Sequence, residues 1–237
     1  MSNKMIVSIS LLFVLAAGCE EHYLSDEVSF TQEITRVDVS LDSSEIWVST
    51  STDGTSSVDY DVRYRGDTTP DITTEVTDGV LRVRMKCKWS CDGDFIINVP
   101  AAASANISVD SGNSEVEGLE GDAHISADSG NIRLRNMSGD LNLSVDSGSI
   151  SGNTSSLVCE AHADSGNIDL RFTDVPDELQ FQVDSGNIDI EVPEGEYDVR
   201  TSIDSGTRRI DSITISEDAP SSITASADSG NITIQGY

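Results

Sequence analysis

"HISADSGNIRLRNMSGDLNLSVDSGSI" (residues 124–150) writes the tripeptide Asp-Ser-Gly twice, beginning at Asp128 and at Asp146. Along the whole chain it begins at Asp110, Asp128, Asp146, Asp164, Asp184, Asp204 and Asp228, at intervals of 18, 18, 18, 20, 20 and 24 residues. Placing 128–136 above 137–145 exposes a nine-residue half-repeat: a Ser-Gly-(Asn/Asp) turn, then apolar residues alternating with polar ones. A half-repeat of this length cannot bury a core alone, so stacking of successive coils is the way it makes one. The repeat predicts an all-β chain folded as a parallel β-solenoid, a right-handed β-helix or β-roll-like form with about 18–24 residues per coil.

The side-chain period of two assigns the core. After the turn the inward pairs are Ile132 and Leu134, Ile168 and Leu170, Ile188 and Ile190, Ile232 and Ile234; before it they include Ile107 and Val109, Leu143 and Val145, Phe181 and Val183. Gly112, Gly130, Gly148, Gly166, Gly186, Gly206 and Gly230 fit a corner with φ > 0, where a Cβ would clash. The preceding Asp is expected to accept backbone N–H bonds in an Asx-turn. Asn113, Asn131, Asn167, Asn187 and Asn231 are expected to stack as an amide ladder. Carboxylates repeated at the coil spacing of about 4.8 Å repel by about 0.9 kcal/mol in water. Two readings of what offsets this stay open: hydrogen bonding within each turn, or Ca²⁺ along the column Asp110, Asp128, Asp146, Asp164, Asp184, Asp204 and Asp228. The nine-residue period invites comparison with calcium-binding Gly-Gly-x-Gly-x-Asp repeats, but the second Gly and the internal Asp are missing.

The 237 residues carry 42 acidic and 14 basic side chains, a formal charge of −28. Phosphate-rich partners such as nucleic acid are repelled by such a surface. Residues 1–18 have one Lys, an apolar run from Met5 to Leu15 and a small-residue end, the build of an export signal. "LAAGC" (15–19), with Ala16 where Leu is usual, resembles the lipobox of bacterial lipoproteins, which implies a lipid on Cys19 and a membrane partner through it. The expected organisation is a signal peptide over 1–18, lipidated Cys19 and a solvated tether over 19–30, and one solenoid domain over 31–237. Its first part, 31–100, reads as irregular coils and 101–237 as regular repeats. Cys87 and Cys91 frame "CKWSC" and are expected to pair in an oxidising compartment; Cys159, in phase with Ala161 and Ala163, reads as core.

Chemistry for catalysis is thin. The histidines are His22, in the expected tether, and His124 and His162, on outward strand positions two units apart. No HExxH, P-loop or strand–GxGxxG–helix pattern occurs. The longer units expand at "TDVPDEL", "VPEGEYDV" and "ITISEDAPSSI", which place Asp174, Asp177, Glu178, Glu194, Glu196, Glu217 and Asp218 on one prospective binding edge; solvated decoration is the alternative reading. Arg208-Arg209 reads as charge compensation, and "NITIQGY" (231–237) as an uncapped last strand open to pairing with another molecule.

Finally, "DGVLRVRM" (78–85), "FIINVPAAASANISVDSGNSEVEGLEG" (95–121) and the Ser-Gly-Asn/Asp units after them resemble the bacterial candidate-adhesin family of β-strand-repeat domains of unknown function, over about residues 33–235. The resemblance implies an exported parallel β-solenoid with no catalytic residues to carry over. The leading expectation is a non-enzymatic, lipid-anchored cell-envelope protein, an outer-membrane lipoprotein or a cell-surface one. Its solenoid would act as an adhesin-like or scaffolding surface toward an envelope or extracellular protein or a polysaccharide. A calcium-dependent structural or carbohydrate-binding module is the alternative, and a polysaccharide-active β-helix enzyme the third.

Overall fold

The computed structural model describes residues 21–52, 54–88 and 90–237; the expected signal peptide and Cys19 lie outside the described residues. The described chain is built from strands, the first six being β1 (Glu21–Phe30), β2 (Arg36–Thr50), β3 (Ser56–Arg65), β4 (Asp71–Thr77), β5 (Val80–Lys86) and β6 (Ser90–Val99). Five regular coils follow, two strands each: β7 (Ser104–Ser111) and β8 (Ser114–Glu117), β9 (Ala123–Ser129) and β10 (Ile132–Met137), β11 (Leu141–Ser147) and β12 (Ile150–Thr154), β13 (Val158–Ser165) and β14 (Ile168–Phe172), β15 (Glu178–Ser185) and β16 (Ile188–Val192). Then come β17 (Glu196–Ser205) with β18 (Arg208–Asp211), the two-residue β19 (Thr214–Ile215), and a last coil, β20 (Ser222–Ser229) with β21 (Ile232–Gly236).

Each coil places one strand in each of two facing sheets, with the Asp-Ser-Gly corner between them. The parallel register keeps equivalent residues in line: Leu143 lies between Ile125 and Ala161, and Ile150 between Ile132 and Ile168. All seven named inward pairs are buried, so the period of two assigned the repeat core correctly. The β-solenoid class holds, in a two-sheet, roll-like cross-section.

The N-terminal part differs from the expectation of irregular coils. Two coils precede the repeats: β2, bent at its middle with residues 36–43 in the first sheet and 44–50 in the second, and β5 with β6, which run parallel to β2 in the first and second sheets. The rest adds antiparallel strands: β4–β5 is a hairpin about Asp78-Gly79, and β3 runs antiparallel to β6. Residues 21–30 are not a tether. They form β1, paired antiparallel with β3 from Glu21–Arg65 to Phe30–Ser56. The reason is legible in "YLSDEVSF": Leu24, Val28 and Phe30 alternate and cover the apolar end of the core.

Stacking order departs from chain order at both ends. β2 lies between β5 and β7 in the first sheet and between β6 and β8 in the second. The last coil lies between β15–β16 and β17–β18, because β20 pairs with both β15 and β17, and β21 with both β16 and β18. "NITIQGY" is therefore an interior strand, not the open end. Side chains explain the choice. The last coil turns Ile223, Ala225, Ala227, Ile232 and Ile234 inward, all buried, and suits cover on both sides. The coil that ends the stack puts Thr201 and Arg208 where the adjacent coil has Ala225 and Ile232, and Arg208 Nη1 donates to Thr201 Oγ1 (3.0 Å) across the open end of the core. Arg208 is thus a polar crossbar between the sheets rather than charge compensation on a face.

One inward column of the second sheet runs Asp26, Tyr60, Phe95, Ile46, Ser114, Ile132, Ile150, Ile168, Ile188, Ile232, Arg208. Within it Ser114 is fully buried and its hydroxyl has no hydrogen-bond partner, between Ile46 and Ile132. A buried unpaired hydroxyl is unfavourable and a methyl there adds apolar contact. Ser114→Val is expected to raise stability by about 1–2 kcal/mol, read as a higher urea midpoint at unchanged slope. Deletion of residues 217–237 is expected to leave β17–β18 without their neighbour, so that protease cuts fall within 193–216 while residues 104–192 stay protected; equal protection of both segments would contradict the interleaved order.

Candidate functional site

The corner that recurs is held by backbone. Gly130 has φ +155°, and a Cβ placed on it would lie 1.7 Å from the Gly112 carbonyl oxygen of the adjacent coil. The same contact, at 1.5–1.8 Å, repeats at the other six corner glycines, Gly112 against Ser44 and the rest each against a neighbouring glycine. Close approach of coils, more than the dihedral alone, demands glycine.

The expected Asx-turns do not form. Gly130 N donates to Ser147 O (3.0 Å) and Gly148 N to Ser165 O (3.0 Å), and the glycines two residues beyond Asp110, Asp164, Asp184 and Asp228 are likewise bonded to the adjacent coil. Asp110, Asp128, Asp146, Asp164, Asp184, Asp204 and Asp228 instead face solvent in a row. Asp164 Oδ1 meets His162 Nε2 at 2.7 Å. Among the described residues, no three His, Cys, Asp or Glu side chains converge as a metal-holding group, whereas Ca²⁺ takes six to eight oxygens. The column as it stands offers no such set.

The amide ladder is present. Asn131 Nδ2 donates to Asn113 Oδ1 (2.9 Å), Asn187 Nδ2 to Asn167 Oδ1 (3.1 Å) and Asn231 Nδ2 to Asn187 Oδ1 (2.9 Å). Ser149 interrupts it and passes the chain on: Ser149 N donates to Asn131 Oδ1 (2.9 Å), and Asn167 N donates to Ser149 Oγ (3.3 Å). Glu45 begins it, accepting from Asn113 Nδ2 (3.0 Å), and Thr207 ends it on Asn231 Oδ1.

Beside the first rungs lies a groove of about 430 Å³ on the outer face of the second sheet, lined by Glu45, Trp47, Asn113, Glu115, Asn131, Arg133 and their neighbours. Trp47 follows Ile96 in the row, and both are exposed, at 37% and 44%. Glu115 is paired with Arg135 (3.0 Å), while Arg133, between Glu115 and Ser151, has no carboxylate partner among the described residues. Reading the sequence missed this site. The signal for it was Trp47, an aromatic at an outward position of a strand. A second groove, about 410 Å³, lies on the first sheet among Asn106, Asp122, His124, Asp140 and Asn142. The acidic residues expected on one edge, Asp174, Asp177, Glu178, Glu194, Glu196, Glu217 and Asp218, line neither groove. The loop at 193–195 carries the chain past one layer, and 212–221 returns it.

His162 is oriented by Asp164, and among the described residues no hydroxyl or thiol is hydrogen-bonded to its ring. Cys87 and Cys91 are joined by a disulfide with Cα atoms 6.1 Å apart, and the Asp42 carboxylate accepts from Cys87 N (2.7 Å). Cys159 is buried, which pushes its thiol far above the usual range and leaves it unreactive.

Three outer-row acids, Asp110, Asp169 and Asp94, are harder to ionise than usual. Burial first, then the charges of Asp42 and Asp128, raises Asp110. Burial again leads at Asp169, followed by Asp189 and Glu191, and at Asp94, followed by Asp92, Glu45 and Asp61.

The match to the sequence pattern of the family described as Toastrack DUF4097 spans residues 89–235. No curated protein is similar in sequence. Among solved structures, a candidate adhesin from Bacteroides fragilis NCTC 9343 is 17% identical, with 89% of this chain and 97% of that one covered and a TM-score of 0.54. A candidate cell adhesion protein from Clostridium sporogenes ATCC 15579 is 12% identical over 90% of this chain and 100% of that one, TM-score 0.40. A candidate adhesin from Parabacteroides merdae ATCC 43184 is 13% identical over 90% and 95%, TM-score 0.39.

The raised acids set a pH dependence. Between the unfolded and the folded pKa the native chain binds more protons than the unfolded one, so stability falls as pH rises through that window and the penalty is complete at neutral pH. Asp110→Asn is expected to raise the melting temperature at pH 7 by about 1–2 °C, a small gain because the group is largely exposed, and to lose that gain as pH falls into the carboxylate range. Calorimetric melting of both proteins across pH reads it.

Proposed function

The chain belongs to the Toastrack DUF4097 family, and from that membership we propose that it is a non-enzymatic envelope protein, held to a membrane by a lipid on Cys19, whose solenoid presents an adhesin-type surface to an extracellular polysaccharide. The observation that carries the reading is the Trp47 groove. An exposed indole stacks on the apolar face of a sugar ring, and the neighbouring guanidinium, carboxylates and amides hydrogen-bond its hydroxyls. The groove sits on a wall whose backbone is bonded coil to coil, so the polar groups around the indole are held in place before a ligand arrives.

Other features support the same reading. A formal charge of −28 turns away nucleic acid and favours a neutral chain of sugars. The Bacteroides fragilis protein of like fold is itself called a candidate adhesin. A disulfide at Cys87–Cys91 suits an exported protein. β1 begins at Glu21, two residues after Cys19, so a lipid there would hold the solenoid against the membrane with almost no spacer. More than one acyl chain on the Cys supplies stable anchoring.

Cells or beads carrying the protein are expected to adhere to a polysaccharide-coated surface. Trp47→Ala should cut that adhesion about tenfold, with an unchanged melting temperature. Cys19→Ala should move the protein from the membrane to the soluble fraction. Adhesion indifferent to both Trp47→Ala and Arg133→Ala would remove the groove as the binding site.

A further inference from the structure

The two ends of the stack are open in the same way. Among the described residues, at one end β1 is bonded only to β3 and β4 only to β5; at the other, residues 198–205 of β17 are bonded only to β20, and β18 only to β21. β19 covers only Glu196 and Tyr197 of β17. Apolar side chains at both ends are half-buried, Leu24 and Val28 at the first, Val199 and Ile203 at the second, where their counterparts inside the stack are fully buried. Unpaired strand edges over a partly covered core are templates for another chain.

The charges at these ends have opposite sign and terminate one column. Asp26 and Arg208 occupy the first and last places of the inward column that is otherwise aromatic, isoleucine and Ser114. The Asp26 carboxylate accepts from Glu27 N (3.0 Å), and with burial it raises the phenol of Tyr60 beneath it. Arg208 bonds a neutral hydroxyl, while Arg200 and Arg209 beside it are each paired with an Asp of their own strand. The strand sense also fits: β1 and β6 are both antiparallel to β3, so β1 runs parallel to the rest of the second sheet, as β18 does.

We propose that the solenoid stacks head to tail on a second copy of this chain, β18 of one copy adding to β1 of the next so that Arg208 meets Asp26 in the shared inward column. The second sheet then runs on from one copy into the next, since β1 stands one layer beyond β4. Pairs of like ends are refused, because two Arg208 or two Asp26 side chains would face each other. A head-to-tail contact is heterologous, so it builds an open row of solenoids unless a rotation closes it.

Sedimentation velocity of residues 20–237, which contain every described strand, tests this at physiological salt from about 1 to about 200 μM. The weight-average mass is expected at least to double across that range for the wild type and to stay at one chain for Asp26→Arg and for Arg208→Glu. An equimolar mixture of the two variants restores complementary ends on both sides of each copy, and should associate as the wild type does. Recovery in the mixture also shows that neither variant failed to fold. A wild type that stays monomeric throughout, or association untouched by either substitution, overturns the proposal and leaves the two charges as guards against end-to-end pairing. Failure of the mixture to recover, with both variants melting normally, overturns the Asp26–Arg208 contact.

Discussion

Everything in this molecule depends on how closely one coil can approach the next at the corner. The glycine carbonyl of one layer occupies the space where a side chain of the next would begin, at 1.5–1.8 Å from the position of an added Cβ. That approach lets Gly N–H groups bond Ser carbonyls in the next coil, which keeps the strands on either side in register. Register then fixes everything else. The isoleucine column, the amide ladder and the outward rows are all consequences of equivalent residues lying one above another.

The same stacking that aligns apolar residues also aligns charges. In a chain of −28 the outward rows gather carboxylates at the coil spacing, and burial, with neighbouring carboxylates second, makes the acids at 94, 110 and 169 harder to ionise. No turn hydrogen bond relieves it, because the N–H groups that would bond the Asp side chains are committed to the neighbouring coil. The repulsion is borne by the sheets. A core of fully buried Ile, Leu, Val and Phe columns, together with continuous backbone ladders, outweighs charge pairs that water largely screens.

A repeating stack has interior layers that are alike and two ends that are not. The ends are where this chain abandons its repeat, by antiparallel strands at one side and by a layer-skipping coil at the other. Interleaving β2 and the last coil ties both into bonds on two sides, so neither can peel off as a simple outermost layer. The residues left at the two outermost positions, Asp26 and Arg208, are charged where every other layer is apolar or, at Ser114, neutral. Function follows the same division. The interior layers supply a rigid wall, and what differs along it, such as Trp47 among small and acidic neighbours, supplies the means to recognise something.

The sequence by itself determined the solenoid, its two-residue period, the core columns, the corner glycines and the amide ladder, because each follows from a repeat in which neighbouring coils present the same residues. It also carried clues that a linear reading undervalued. Arg208 stands at a position where the other units place Ile or Ser, and Leu24, Val28 and Phe30 alternate as a strand should. Only the tertiary structure decided which layer sits beside which, since repeat intervals of 20 and 24 residues leave enough chain to reach a neighbouring layer or the one beyond. It also decided the groove, because Trp47 belongs to β2 and Glu115 and Arg133 to later coils, and nothing short of the interleaved stacking brings them together.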